Sequence, residues 1–228
     1  MRLFYKENIF LSVYFRPSSF SAIAQALPEP YLSWNATQAE QIGRGMRVSD
    51  KIGKRIDVRL FNTDKAVNYK LRATWMTPEV IRATARLEQL RNRLNDQQTR
   101  DLVAEAESVG DTVFMIEIDP REGSGVIPLD WRVTLQPPNL AVGQPGAVAG
   151  EKSPQFRKIK ALSGVLRRDY DYDVFWVVFP LVDKDRNPVF KPDAAQLQLL
   201  VGIYGNEGRI TWTVPESIRS RIESLSQK

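Results

Sequence analysis

Between Thr77 and Gly110 the chain changes its hydrophobic period, and that change limits its fold more than any other feature. On either side apolar residues alternate at the two-residue step of a strand. Here they recur every three or four residues, as on one face of a helix. Trp75 ends the strand pattern before this stretch and Thr112 begins the next. The helices are therefore expected as one insertion into a β framework, not as crossovers spread between parallel strands.

The insertion carries its own start and stop signals. Thr77 stands at an N-cap position and Pro78 at the first helical position, where a missing N–H costs nothing. Glu79 adds a favourable charge to the first turn. Val80, Ala83, Leu87, Leu90 and Leu94 form a narrow apolar seam. Asn95 followed by Gln98 matches a capping box, Leu102, Val103, Ala106 and Val109 form a second stripe, and Gly110 ends it. Two short helices with matching seams predict a helical hairpin lying on a sheet or across its end.

Elsewhere the pattern is of strands. Residues 55–61 alternate, with Ile56, Val58 and Leu60 on one side, and a turn at 62–65 leads into 67–76, so the two are expected to pair as a hairpin. Residues 112–118 and 173–179 are nearly continuous apolar runs suited to the middle of a sheet. Leu129, Trp131, Val133 and Leu135 share a predicted core face. Residues 197–204 and 209–214 flank a four-residue turn, Gly205–Gly208. Residues 31–50 read as irregular with Trp34 as anchor, and Asn35-Ala36-Thr37 matches a glycosylation sequon to which no function is assigned. Residues 156–161 give a faint strand signal. Residues 137–154, with four prolines and three glycines, read as a long loop. Ile218, Ile222 and Leu225 predict a short C-terminal helix. The expected fold is mainly β: an antiparallel β-sandwich, immunoglobulin-like or similar, with the helical hairpin inserted.

The 228 residues include no cysteine and no histidine. Disulfides, zinc–thiolate sites, cysteine nucleophiles, Ser-His-Asp triads and imidazole bases are all excluded. An enzyme would have to work with carboxylates, lysine, tyrosine or hydroxyls. The net charge of +5 permits contact with nucleic acid or an anionic surface without requiring it. No apolar run approaches the roughly 18–20 residues that span a bilayer.

Arg2 and Lys6, the apolar run 9–15, Ala24-Gln25-Ala26 and the Leu27-Pro28 after it trace a secretory signal peptide. Glu7 and Arg16-Pro17 interrupt that outline, and a first strand over 8–15 is the competing reading. Residues 1–26 are expected to be a cleaved leader and 27–228 a single domain, periplasmic or secreted, with a cytoplasmic location as the alternative. Removing the leader takes away Arg2, Lys6, Arg16 and Glu7 and lowers the net charge from +5 to +3.

Ala73-Thr74-Trp75-Met76-Thr77-Pro78-Glu79-Val80, Asp130-Trp131-Arg132, the aromatic strand 174–180 ending in Phe-Pro, and Ile210-Thr211-Trp212 follow a common outline. In these residues the chain resembles a group of uncharacterised bacterial secreted proteins, many of them predicted lipoproteins. The resemblance spans about residues 55–214 and implies the fold and an envelope location, not an activity. With no cysteine to acylate, this chain departs from the lipoprotein members.

Three clusters are candidates for function. Arg82, Arg86 and Arg93 form a stripe opposite the first helical seam and are the expected partner-binding residues, set against the reading of an ordinary solvated face. Asp169, Asp171 and Asp173, if extended, place three carboxylates on one face, an arrangement suited to calcium. Asp183–Asn187 opens like an EF-hand loop, but Pro188 replaces the required glycine, so a simple turn is expected. Glu117, Asp119, Glu122 and Asp130 bracket one loop and supply the carboxylates a hydrolase would need. Arg157, Lys158, Lys160, Arg167 and Arg168 form a basic cluster, but Asp169, Asp171 and Asp173 follow it, and nucleic acid is not expected. The sequence thus points to a non-enzymatic interaction or structural module without cofactor, whose partner is an unidentified protein or envelope component. A calcium- or glycan-binding domain is the alternative and a carboxylate hydrolase the third reading.

Overall fold

The computed structural model describes residues 29–53, 68–109, 112–120, 126–138, 140, 146–165, 172–191 and 194–227. The leader, the strand expected at 55–61, and Glu122, Arg167, Arg168, Asp169 and Asp171 lie outside the described residues. The rest forms two antiparallel sheets and four α-helices. In chain order the elements are α1 (Ala36–Gly45), β1 (Arg47–Gly53), β2 (Asn68–Trp75), α2 (Pro78–Asn92), α3 (Asp96–Glu107), β3 (Thr112–Pro120), β4 (Arg132–Gln136), β5 (Val148–Ala149), β6 (Glu151–Lys152), β7 (Asp173–Phe179), β8 (Gln196–Ile203), β9 (Asn206–Thr213) and α4 (Glu216–Ser226). Sheet A runs β1-β2-β3-β7-β6 and sheet B runs β5-β4-β8-β9. Among the described residues no helix is long and apolar enough to cross a membrane.

The helical hairpin interrupts two strands that are direct neighbours. Tyr69 to Trp75 of β2 pair with Pro120 to Phe114 of β3, so a tight turn would have sufficed to join them. Thr77 caps α2 and Asn95 closes a reciprocal capping box with Gln98 at α3, as the sequence predicts. α2 is buried more widely than its predicted seam. Val80, Ile81 and Ala85 pack with Val113, Met115 and Trp176 on the outer face of sheet A. Ala83 and Leu87 pack instead with Ala39 of α1 and Val165. The helix sits centrally in a helical layer, while Leu90 near its end is exposed. β3 is covered on both faces, which accounts for its continuous apolar run.

The inner faces of the two sheets share one core. Trp75 stacks on Phe114 at 5.1 Å between ring centroids and meets Trp212 of sheet B edge-on at 6.2 Å. Phe114 also contacts Phe179 and Trp212. The indole N–H of Trp75 donates to Thr112 Oγ1 at 2.6 Å, and that of Trp212 to the Met46 carbonyl at 3.0 Å. α4 closes one end with Ile218 and Ile222. Ser217 donates to Glu79, and Arg221 to the Glu107 carbonyl, tying this helix to the start of α2 and the end of α3.

Both sides of the sheet pair are closed by the chain itself. On one side the stretch 148–152 pairs with β4 of sheet B, passes through Gly150, and pairs with β7 of sheet A. A Cβ at Gly150 would lie 2.4 Å from Val177 Cγ1, so only glycine permits this crossing. On the other side β1 and β9 meet. Asp50 accepts the backbone N–H of Arg209 at 2.7 Å, and Gly208 allows an approach in which an added Cβ would sit 3.0 Å from the Lys51 carbonyl oxygen.

Several expectations are corrected. Residues 36–53 form a helix and a strand where an irregular stretch was expected, and Asn35 is the cap of α1, boxed with Gln38. The hairpin partner of β2 is β1, not residues 55–61. β4 begins at Arg132. Leu129 is therefore outside the strand and 96% exposed instead of buried. Residues 154–158 and 160–162 are 3-10 turns, because Pro154 and the inward Phe156 and Leu162 favour turns over a ladder. The β8–β9 turn is two residues, Tyr204 and Gly205, both with positive φ, the geometry that matches strand twist.

The seam between β1 and β9 makes a testable demand. Gly208→Ala is expected to cost about 1–3 kcal/mol through overpacking against a backbone carbonyl. Gly45→Ala, where nothing lies within 4 Å, is expected to be neutral or stabilising by up to about 1 kcal/mol through helix propensity. Urea unfolding of the two variants checks the pair.

Candidate functional site

The outer face of sheet A divides in two. One half is apolar and covered by helices. The other is polar, and register sets its rows: Arg47 beside Thr74 and Met115, then Ser49, Arg72 and Glu117, then Lys51, Lys70 and Asp119. The register gathers six ionisable side chains, Arg47, Lys51, Lys70, Arg72, Glu117 and Asp119, on this half.

Its centre is a buried ion pair. Arg47 starts β1 and reaches across β2 to Glu117 on β3, a span of about two strand spacings, roughly 10 Å. Its Nε and Nη2 donate to the carboxylate at 2.8–3.0 Å. The Glu117 side chain is 1% exposed and that of Arg47 16%. Beside them Gly43, Thr74, Met115 and Val165 line a recess with room for roughly one water molecule. Next along the face, Lys70 pairs with Asp119 at 2.8 Å. The Tyr172 ring lies under the guanidinium of Arg72 at 4.3 Å, with the Lys70 ammonium at 5.7 Å.

Each buried carboxylate on this face is set against a cation. A carboxylate pair for hydrolysis needs one member that holds a proton and one that is open to substrate. Glu117 and Asp119 each face a cation instead. Asp130 is exposed on the loop at the end of the sheets, where its charge partly offsets the lowering of the Lys152 pKa by burial. Lys152 there lies 4.3 Å from the Trp131 ring centroid and donates to the Leu129 carbonyl. Tyr69 fixes the same loop through its hydroxyl, 3.2 Å from the Val126 carbonyl. Burial, with a smaller contribution from Tyr204, raises the Tyr69 pKa above its ordinary 10.0.

The predicted arginine stripe falls largely at the seam between helices. Arg82 pairs with Glu107 of α3 at 3.0 Å. Arg86 donates to the Trp34 carbonyl at 2.7 Å and to Gln89, whose amide donates to Asp96 at the start of α3. Arg93 ends α2 in the left-handed conformation, φ 54°, and its side chain is exposed. Arg86 is thus committed to the fold, while Arg82 stays partly exposed. Of the aspartates proposed for calcium, Asp173 is exposed at the start of β7, and no cluster of three metal-ligating residues occurs among the described residues. Asp183 folds its carboxylate back onto the Asn187 side-chain amide and the backbone N–H groups of Asn187 and Asp185, which lower its pKa and form the expected turn.

Sequence reasoning missed the Arg47–Glu117 pair because β1 was not recognised. The signal was the Asn35–Gln38 capping box, the same grammar that located α3. Glu117 itself was legible as a charge isolated within an apolar run.

No family model matches the chain, and no curated protein is significantly similar to it. It is similar to a crystal structure described as a novel protein of unknown function from Burkholderia pseudomallei. The identity is 14% and the TM-score 0.40, over 84% of this chain and 87% of that one.

Removing one member of a buried pair leaves the other charge unpaired. Glu117→Leu is expected to destabilise by about 3 kcal/mol, the lower end of the usual range because Arg47 keeps some solvent access. The double variant Arg47→Met/Glu117→Leu is expected to recover most of that loss in urea unfolding. Tyr69 predicts an alkaline limb. Its folded pKa lies above the unfolded one, so its contribution is complete below about pH 10 and lost as pH rises through the folded pKa. Thermal melts of Tyr69→Phe between pH 9 and 11 should show a shallower decline.

Proposed function

We propose that this chain is a non-enzymatic β-sandwich, immunoglobulin-like in layout, that is exported to the cell envelope and acts as an interaction or structural module. The observation that carries the reading is the neutralisation of the buried carboxylates: Glu117 and Asp119 are held by Arg47 and Lys70. In a chain with no histidine or cysteine this supports the reading that these carboxylates serve the fold. The closed sides of the sheet pair favour recognition through the helical layer over strand addition at an edge. The leader outline at residues 1–26 and the resemblance to bacterial secreted proteins support the envelope location.

Arg93 is exposed and Arg82 is 40% exposed beside Glu107, whereas Arg86 serves the fold. The Arg82–Glu107 pair is half exposed and contributes little to stability, about 0–1 kcal/mol. Arg82→Ala/Arg93→Ala is therefore expected to fold normally and to lower recovery of a crosslinked envelope partner at least about fivefold, a loss on the order of 1 kcal/mol. Unchanged recovery would remove the stripe from the interface. N-terminal sequencing of the native protein is expected to give a mature chain starting near Leu27. A chain retaining Met1 would refute export.

A further inference from the structure

Residues 29–34 lie across the helical layer without belonging to it. Pro30–Ser33 form one 3-10 turn whose hydrogen bonds are its own. Leu32 N–H donates to the Glu29 carbonyl, Trp34 N–H to the Tyr31 carbonyl, and Ser33 Oγ to the Pro30 carbonyl. Among the described residues no backbone hydrogen bond joins this strap to a sheet or to α2 or α3. Side chains hold it instead. Glu29 pairs with Arg100 of α3 at 2.7 Å, and Arg86 of α2 donates to the Trp34 carbonyl at 2.7 Å. Between these attachments Tyr31, 5% exposed, enters the cluster that holds Ile81 of α2 with Val103 and Ala106 of α3. The Tyr31 pKa is raised, first by burial and then by Glu29, against the pull of Arg100 and Arg82. Both guanidinium groups are thus within electrostatic reach of the phenol.

We propose that this strap is an intramolecular ligand, filling a groove along the α2–α3 seam that recognises a carboxylate followed two residues later by an aromatic ring. The seated strap shows the chemistry the groove takes: a carboxylate on Arg100, a ring in the apolar seam, a carbonyl on Arg86. Arg82 has Glu107 from α3, whereas among the described residues Arg100 finds its salt bridge in the strap. The attachment suits exchange. The Glu29–Arg100 pair is roughly two-fifths exposed on both sides, where solvent screens it. α1 caps itself through Asn35 and Gln38, so its first turn survives when the strap lifts. A segment held by side chains alone opens locally, ahead of global unfolding. A partner that presents the same carboxylate and ring then takes its place. Tethered to its own chain, the strap has an effective concentration in the millimolar range, so a free peptide with a Kd of about 0.1 mM is held off about tenfold. This inference deepens the interaction reading by naming a groove and the peptide chemistry it meets, and it rests on that reading.

The test is fluorescence polarisation of a labelled peptide of residues 29–35 against the full chain and its Glu29→Ala/Tyr31→Ala variant. The variant, with its groove vacated, is expected to bind the peptide about tenfold more tightly than the unaltered chain. Replacing the peptide's own tyrosine by alanine is expected to weaken that binding at least about tenfold, the loss of one buried ring. Adding Arg100→Ala to the variant is expected to weaken it about threefold. Should the double variant fail to fold, Glu29→Ala alone keeps the buried ring and is expected to gain about threefold in affinity. Absence of binding to the vacated chain, equal binding by both chains, or indifference to the peptide's tyrosine overturns the proposal. The crosslinking experiment uses no peptide, so a partner lost there without peptide binding here removes the strap and keeps the interaction reading.

Discussion

The contact on which the other layers depend is that of Trp75 with Phe114 and Trp212. Trp75 is the last residue of β2, Phe114 stands opposite it on β3, and Trp212 reaches across from sheet B. The rings join the two sheets at the point where the chain leaves for the helical hairpin and where it returns. The polar edges of both indoles are satisfied, one by Thr112 and one by Met46, so the cluster gains apolar burial without an unpaired donor. Trp212 also reaches the junction of α1 and β1 through Met46, and that junction positions Arg47.

From this point the helical layer follows. A hairpin inserted between two paired strands would pull them apart unless its entry and exit were fixed together. Met76 donates to the Val113 carbonyl at 2.9 Å, continuing the ladder one residue beyond the strand before the helix begins. The layer then covers the apolar half of sheet A and leaves the polar half to its own ion pairs. One face therefore serves as both core and surface, with Arg47 and Glu117 at the boundary.

Local grammar was legible in the sequence and tertiary neighbours were not. Thr77-Pro78 and Asn95–Gln98 located both inserted helices because caps act within three residues. β7 was clear as a nearly continuous apolar run, and the β8–β9 hairpin from two strands flanking a Gly-containing turn, although that turn is shorter than expected. β1 escaped because its inward position 50 holds an aspartate, whose role is to receive the Arg209 amide from a strand far away in sequence. Leu129 was misplaced because its alternation with Trp131 continues past the true start of the strand. Arg82 and Arg86 looked solvated because helical periodicity shows one helix's faces and not the neighbours that cover them. The same blindness hid the ion pair, whose members lie 70 residues apart.

The crossing at Gly150 has a consequence for how the protein fails. Long open edges let a folded β protein recruit another chain, and here the chain's own strands occupy both sides of the sheet pair. The 148–152 stretch and the β1–β9 seam hinder self-association through backbone hydrogen bonding while they stay in place. The tendency to aggregate is thereby tied to the population of partly opened molecules, not to the concentration of the native form. A single glycine, by keeping two sheets in contact, also protects solubility.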